Sequence, residues 1–325
     1  MKKILILGSE GFLGSVLVPY LLKDKNIRII GIDECFFGKN NKKNKNFNFY
    51  RKNYKNLKKN FFKQFDFIID LINISNDPAS ELNKKFTNLT NYSNKVKLYN
   101  KIKNLKNISK YIYMSSCSVY GNNSNLITEK SGPKPISLYS KLCLKYENYL
   151  KNQKKIPYTI LRLGTLYGWS PRMRYDIAIN KIIRDMIFHK KIEILGGTQL
   201  RFFCYNIFAC EIIHKIIYNK RNNYLNKIFN IGNFNTNIIQ LTKKILKLTK
   251  IKNINIYHEK NTIDKRSYEV STKSAKKIMK SKNFKELTNN SIIETFQKIK
   301  KDKSPFSNKK ITLTIYKEYL KKIKI

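Results

Sequence analysis

An α/β fold, a doubly wound parallel sheet with a smaller C-terminal substrate-binding region, is predicted by three features of the sequence. Short apolar runs recur with helical stretches between them. Three closely spaced glycines lie where the first run gives way to a helix, and an acid closes the second run. The apolar runs are Ile4 to Leu7, Ile27 to Ile32, Phe47 to Tyr50, Phe67 to Leu71, Tyr111 to Met114 and Tyr158 to Leu161. Their length and their β-branched and aromatic content suit buried strands. Phe12 to Leu22, Leu82 to Leu105 and Ser137 to Leu150 carry spacings of helices that pack on such a sheet. This is the Rossmann-type rhythm, and it predicts a dinucleotide-binding domain over residues 1–164. Beyond Gly164 the pattern turns irregular, with candidate helices near Asp176 to Phe188, Ile207 to Tyr218 and Thr236 to Leu248. Residues 165–325 are expected to be mainly a substrate-binding region, interleaved with the first, with part of 207–240 returning to it.

The chain has 325 residues and 42% hydrophobic content, enough to bury a full core. Its formal charge of +45 raises the question of nucleic acid. Lysine is spread through nearly every segment together with Asn and Ile, which is the pattern of a compositional bias, and no stripe or tail concentrates the charge. Five cysteines without a CxxC pair speak against a disulfide framework or a zinc site. The three histidines match no triad or metal spacing, and no metal is expected. A strand starts at once and the glycine loop follows by Gly8, leaving no room for a signal peptide, and no later apolar run can span a bilayer. A cytoplasmic protein without a membrane partner is the expectation.

Gly8, Gly11 and Gly14, with Phe12 and Leu13 among them, form a G-x-x-G-x-x-G turn between strand and helix. Glycines there let the backbone approach a pyrophosphate and bring the positive end of the helix dipole to it. Asp33 follows about 20 residues on, where a carboxylate accepts both hydroxyls of the adenosine ribose. Glu34 comes next and no Arg stands beside it, so a 2′-phosphate would meet two carboxylates. NAD is therefore favoured over NADP as the cofactor.

The spacing of these glycines resembles that of extended short-chain dehydrogenases/reductases. The segments Ser75-Asn76-Asp77-Pro78-Ala79-Ser80-Glu81-Leu82, Ser115-Ser116-Cys117-Ser118-Val119-Tyr120-Gly121 and Tyr167-Gly168-Trp169-Ser170-Pro171-Arg172-Met173-Arg174-Tyr175-Asp176 resemble the NAD-dependent epimerase/dehydratase family that acts on nucleotide sugars. The resemblance implies that Ser116 contacts the reacting sugar hydroxyl and that Tyr139, also a cofactor contact, is the acid/base. It implies an adenine contact at Asn53, where relatives carry Asp, and a homodimer formed through the two long helices. Arg201 and Arg266 resemble the pair that grips the nucleotide diphosphate, and Arg172 and Arg174 join the substrate-binding set.

Two departures bear on chemistry. The family's lysine four residues after the tyrosine, which lowers the phenol pKa, is replaced by Cys143. Lys141 and Lys145 lie about 160° and 120° away from Tyr139 around the helix. Phe208 stands where relatives have an Asp opening a helix. The leading expectation is a nucleotide-sugar 4-epimerase or related reductase. A 4,6-dehydration is disfavoured, because Cys117 and Ser118 replace the Asp and Glu that dehydratases of the family carry. The same residues leave open a cofactor- and sugar-binding protein that has lost turnover, and the charge leaves open an RNA-associated Rossmann-type protein.

Overall fold

The computed structural model describes residues 1–75, 77–153, 155–219, 223–259, 267–280 and 282–322. Seven parallel strands make the central sheet: β1 (Lys2–Leu7), β2 (Ile27–Asp33), β3 (Phe47–Arg51), β4 (Phe67–Asp70), β5 (Lys110–Ser116), β6 (Tyr158–Leu163) and, after β7 (Thr165–Tyr167), β8 (Lys191–Leu195) and β9 (Leu200–Tyr205), strand β10 (Lys227–Ile231). Their order is β10-β6-β5-β4-β1-β2-β3. The chain reverses direction across the sheet between β1 and β4, and in open parallel sheets that switch point leaves a crevice at the carboxyl ends of the strands. β11 (Phe234–Asn237) joins β9 and β7 in a small sheet, and β12 (Asn255–Glu259) pairs with β8.

Side-chain alternation along β1 explains how both faces are covered. Ile4 and Ile6 enter a core shared with helices α1 (Gly14–Leu21) and α7 (Asn206–Tyr218). Leu5 and Leu7 enter the opposite layer with Leu98 and Tyr146. The helices of that second layer are α4 (Asn94–Ile102) and α5 (Leu138–Asn152), and α2 (Asp77–Leu82) and α3 (Lys84–Asn88) pack beside α5. The helix expected over Leu82 to Leu105 begins after Asn83, which leaves helical geometry at φ −146° and ψ 93° and caps α3 through its side chain. From there α3 continues through a π-helical turn at Leu89–Ser93 into α4, with Asn88, Ser93 and Asn94 in right-handed helical geometry. The remaining helices are α6 (Ala178–Phe188), α8 (Ile238–Thr249), α9 (Lys273–Ile278), α10 (Phe284–Lys300) and α11 (Thr312–Lys322). Among the described residues no helix is long and apolar enough to cross a membrane.

The α4/α5 layer contains a charge that apolar patterning does not announce. Lys95 of α4 and Asp70 at the end of β4 are each 1% exposed and 2.7 Å apart. Asp70 also accepts hydrogen bonds from the Tyr111 hydroxyl at 2.7 Å and the Ile72 amide at 3.0 Å. The ammonium lies 4.9 Å from the Tyr113 ring centroid and 5.5 Å from that of Tyr146. Burial pulls the Lys95 pKa down, and the Asp70 carboxylate opposes it. Breaking such a pair from one side strands a buried charge. Lys95→Met is therefore expected to cost about 3–5 kcal/mol in urea denaturation, and Lys95→Met with Asp70→Asn to recover most of the loss. Equal losses in the single and double variants would contradict this.

Candidate active site

The crevice opens on the glycine loop. Gly8 adopts φ +82°, a conformation L side chains rarely take, while its N–H donates to the Ile32 carbonyl at 2.8 Å. A Cβ on Gly14 would fall 2.3 Å from the Gly8 carbonyl oxygen, so α1 can start this close to the strand only with glycine there. No side chain caps the start of α1 at Leu13, which leaves its dipole end directed into the crevice.

Asp33 stands at the end of β2 beside that loop. Its carboxylate accepts the Glu10 amide at 3.0 Å and the Cys35 amide at 2.7 Å. Burial pushes its pKa up to about 6, with Glu10 and Glu34 adding repulsion against the two N–H donors. Asn53 donates to Glu34 at 2.9 Å and accepts the Lys55 amide at 3.0 Å. Arg172 is set against the same end of the crevice. Its guanidinium lies 3.8 Å from the Phe37 ring centroid, its amide approaches the Ser15 hydroxyl, and the neighbouring Ser170 hydroxyl donates to the Phe12 carbonyl at 2.8 Å. Burial, with Arg174 second, lowers the Arg172 pKa to about 9. Its Nε is buried without a hydrogen-bond partner among the described residues. An orphaned guanidinium nitrogen beside an uncapped helix start and a glycine cradle suits a phosphate, so the residues present fit a dinucleotide.

Deeper in the crevice, Ser116 ends β5 and Tyr139 lies in the first turn of α5, which Ser137 caps through its side chain. The Ser116 Oγ accepts the Ser118 amide at 3.1 Å and the Ser118 hydroxyl at 2.9 Å. Burial pushes the Tyr139 pKa well above its ordinary value. Cys143 raises it further, and the Ser116 hydroxyl works in the opposite direction. Cys143 is fully buried, and burial pushes its thiol up to about 12, with the Tyr113 and Tyr139 hydroxyls as neighbours. It is a neutral thiol where a cation would serve. Lys141 and Lys145 are exposed, and Lys145 sits over the Tyr92 ring at 4.2 Å. Cys117 is turned into the core, with its thiol 3.2 Å from the Arg162 carbonyl. Asn73, just past β4, donates to the Met114 carbonyl at 3.0 Å and keeps a buried Oδ1 without a partner among the described residues.

A buried network holds these groups together. Arg162 of β6 donates to both Glu147 oxygens, from Nε at 3.0 and 3.1 Å, and reaches the Tyr120 hydroxyl at 2.7 Å. Tyr120 donates to Asn230 of β10 at 2.9 Å, and Ser115 donates to Glu147. The network thereby ties α5, which carries Tyr139, to the strand that carries Ser116.

The other expected residues divide. Arg174 is paired with Asp176 at 2.7 Å, and Arg201 donates to the Leu200 carbonyl at 2.9 Å with Tyr268 beside it at 6.0 Å. Arg266 and Asn76 lie outside the described residues. Phe208 is a core residue of α7, packed 5.4 Å from the Phe284 ring. Sequence reasoning did not single out Arg162, Asn73, Lys95 or Asp70. Arginine and lysine inside otherwise apolar segments were the available signal. Among the described residues no cluster of His, Cys, Asp and Glu could hold a metal ion.

The profile of the NAD dependent epimerase/dehydratase family matches residues 4–232, and the chain belongs to that family. It is 32% identical over 231 residues to an uncharacterized UDP-glucose epimerase, YtcB, of Bacillus subtilis, covering 62% of this chain and 68% of the relative. It is 30% identical over 278 residues to the dTDP-D-glucose 4,6-dehydratase of Dictyostelium discoideum, covering 77% and 62% respectively. Among solved structures it is similar to the UDP-glucuronic acid 4-epimerase of Bacillus cereus, determined with UDP-glucuronic acid and NAD. The TM-score is 0.78 at 26% identity, with 92% of this chain and 99% of that one covered.

The raised Asp33 pKa has a measurable sign. The folded state holds the Asp33 proton more tightly than the unfolded chain, so this group's contribution to stability is full below about pH 4 and is lost as pH rises through about 6. Asp33→Asn removes that loss. Its melting temperature relative to the unmodified protein should rise between pH 4 and 7, as followed by circular dichroism without cofactor. A difference independent of pH would contradict the assignment.

Proposed function

We propose that this chain binds NAD and a nucleotide sugar and acts as an epimerase or reductase at a sugar ring carbon. The observation that carries the reading is the placement of Ser116 and Tyr139 side by side in the crevice whose other end is lined by the glycine loop, Asp33 and Arg172. Bound NAD supplies a hydride acceptor that can also return the hydride. The loop from Gly8 to Gly14 and the α1 start bind the pyrophosphate, with the Arg172 Nε as a further donor. Asp33 accepts the ribose hydroxyls, and Asn53 lies at the adenine end. In this reading Arg172, expected in the substrate-binding set, serves the cofactor. Arg201, and Arg174 when released from Asp176, serve the nucleotide diphosphate.

As the phenolate, Tyr139 Oη takes the proton of the reacting sugar hydroxyl, and Ser116 Oγ steadies that oxygen. A tyrosine held above its ordinary pKa carries little phenolate at neutral pH, and the thiol of Cys143 does not correct this as an ammonium would. Turnover is therefore slow. Cys117 faces the core and Ser118 turns back to Ser116, so an acid and base for dehydration are not in place beside Ser116.

The buried thiol also supports a second reading, a protein that binds cofactor and nucleotide sugar without turning them over. A panel of UDP-, GDP-, CDP- and dTDP-sugars, with absorbance near 340 nm followed in parallel for the protein and its Cys143→Lys variant, separates the two. We expect slow reduction of bound NAD by the unmodified protein with at least one sugar, and a rate on the order of 10²-fold higher in the variant. Activity confined to the variant would establish the second reading. No response from either would overturn both the oxidative chemistry and the substrate class.

A further inference from the structure

The C-terminal helix α11 lies beyond the family match and crosses the carboxyl edge of the sheet, where its contacts fall on the two lips of the crevice. On one side, the Tyr319 ring meets Phe36 of the loop after β2 at a centroid distance of 3.8 Å, three residues from Asp33. The charge of Glu34 acts on Tyr319. On the other side, Tyr316 is 2% exposed in a cluster with Ile74 and Ala79, the loop after β4 and the start of α2, and the Phe86 ring lies 6.2 and 6.0 Å from Tyr316 and Tyr319. At its first residue, Thr312 accepts a hydrogen bond from Arg172 at 3.0 Å and approaches Asp176 at 3.3 Å. One helix therefore joins the lip that follows β2, the lip that follows β4 and Arg172, whose Nε alone lacks a hydrogen-bond partner among the described residues.

We infer that α11 completes the adenosine half of the dinucleotide site as an aromatic clamp, with Tyr319 and Phe36 closing over the ribose end so that the cofactor stays resident between turnovers. The inference rests on the cofactor reading above. Its physical basis is that the helix is attached to the rims, so it bridges the crevice and sets the positions of both walls. An epimerisation needs the reduced cofactor to remain bound until the hydride returns, and slow release is what such a bridge provides.

The test is the dissociation rate of NADH, free of any sugar substrate. Trp169, the single tryptophan of the chain, lies next to Ser170 on the glycine-loop side of the crevice and serves as the energy-transfer donor to bound NADH. Excess NAD then displaces NADH in stopped flow. Tyr319→Ala and, from the opposite lip, Phe36→Ala should each release NADH on the order of tenfold faster, while Tyr319→Phe, which keeps the ring, should match the unmodified protein. Thermal melting without cofactor shows which variants fold, and having one variant on each lip keeps the test open if one of them does not. Unchanged rates in the alanine variants would overturn the clamp, as would tighter binding in Tyr319→Ala, the signature of a helix that blocks the crevice. If the unmodified protein binds no NADH, the cofactor reading fails first and the clamp with it.

Discussion

Glu147 and Arg162 meet in the layer between α5 and the sheet, where neither side chain is more than 3% exposed and the closest approach is 2.5 Å. The spacing of Tyr139 and Ser116 depends on this pair, because Glu147 shares a helix with Tyr139 while Arg162 sits on the strand beside the one that ends in Ser116. Tyr120, Ser115 and Asn230 satisfy the remaining polar atoms and extend the hold to β10. A buried ion pair of this kind adds little net stability over an apolar pair of the same shape. Its use is geometric. The helix can slide neither along the strands nor rotate without stranding a charge, so the phenol and the serine hydroxyl stay side by side.

The same layer explains how the chain can keep its scaffold while one key cation is gone. A lysine on α5 beside Tyr139 is replaced by Cys143, whose neutral thiol packs among Tyr113, Tyr139 and Val119. Besides Arg162, the layer buries a second cation, Lys95, one helix away, and its charge is matched by Asp70 and enclosed by tyrosine rings. It stabilises the helix layer, and the paired carboxylate limits its field at Tyr139. In the proposed reading cofactor binding and proton transfer are thus separable: the glycine loop, Asp33 and Arg172 serve the dinucleotide, while Tyr139 lacks a neighbouring cation on its helix.

Much of this was legible in the sequence. The glycine spacing and Asp33 located the crevice because backbone sterics and the helix dipole leave few alternatives there, and the apolar runs located the strands because buried parallel strands are apolar on both faces. The long helix after β4 is present over residues 84–102, and periodicity alone did not reveal its cap at Asn83 or the π turn at Leu89–Ser93, which depend on local geometry. Helix α10 was missed although Asn283 and Glu286 carry the start signal, with Asn283 accepting the Lys285 and Glu286 amides. The contacts of Arg172 could not be read from spacing, since only tertiary structure brings Phe37, Ser15 and Thr312 to it. Lys95 and Asp70 were hidden for the same reason, their pairing being 25 residues apart and meaningful only once both are buried.

The central claim is that Tyr139 acts without a neighbouring cation, and the pH dependence of the half-reaction tests it most directly. With a responsive nucleotide sugar, the single-turnover rate of absorbance gain near 340 nm should rise with pH across the neutral range and keep rising toward about pH 10, because the phenol is held above its ordinary pKa. In the Cys143→Lys variant the same profile should level off at lower pH. A plateau already reached near neutral pH in the unmodified protein would contradict the account, since it would mean that some other group lowers the Tyr139 pKa.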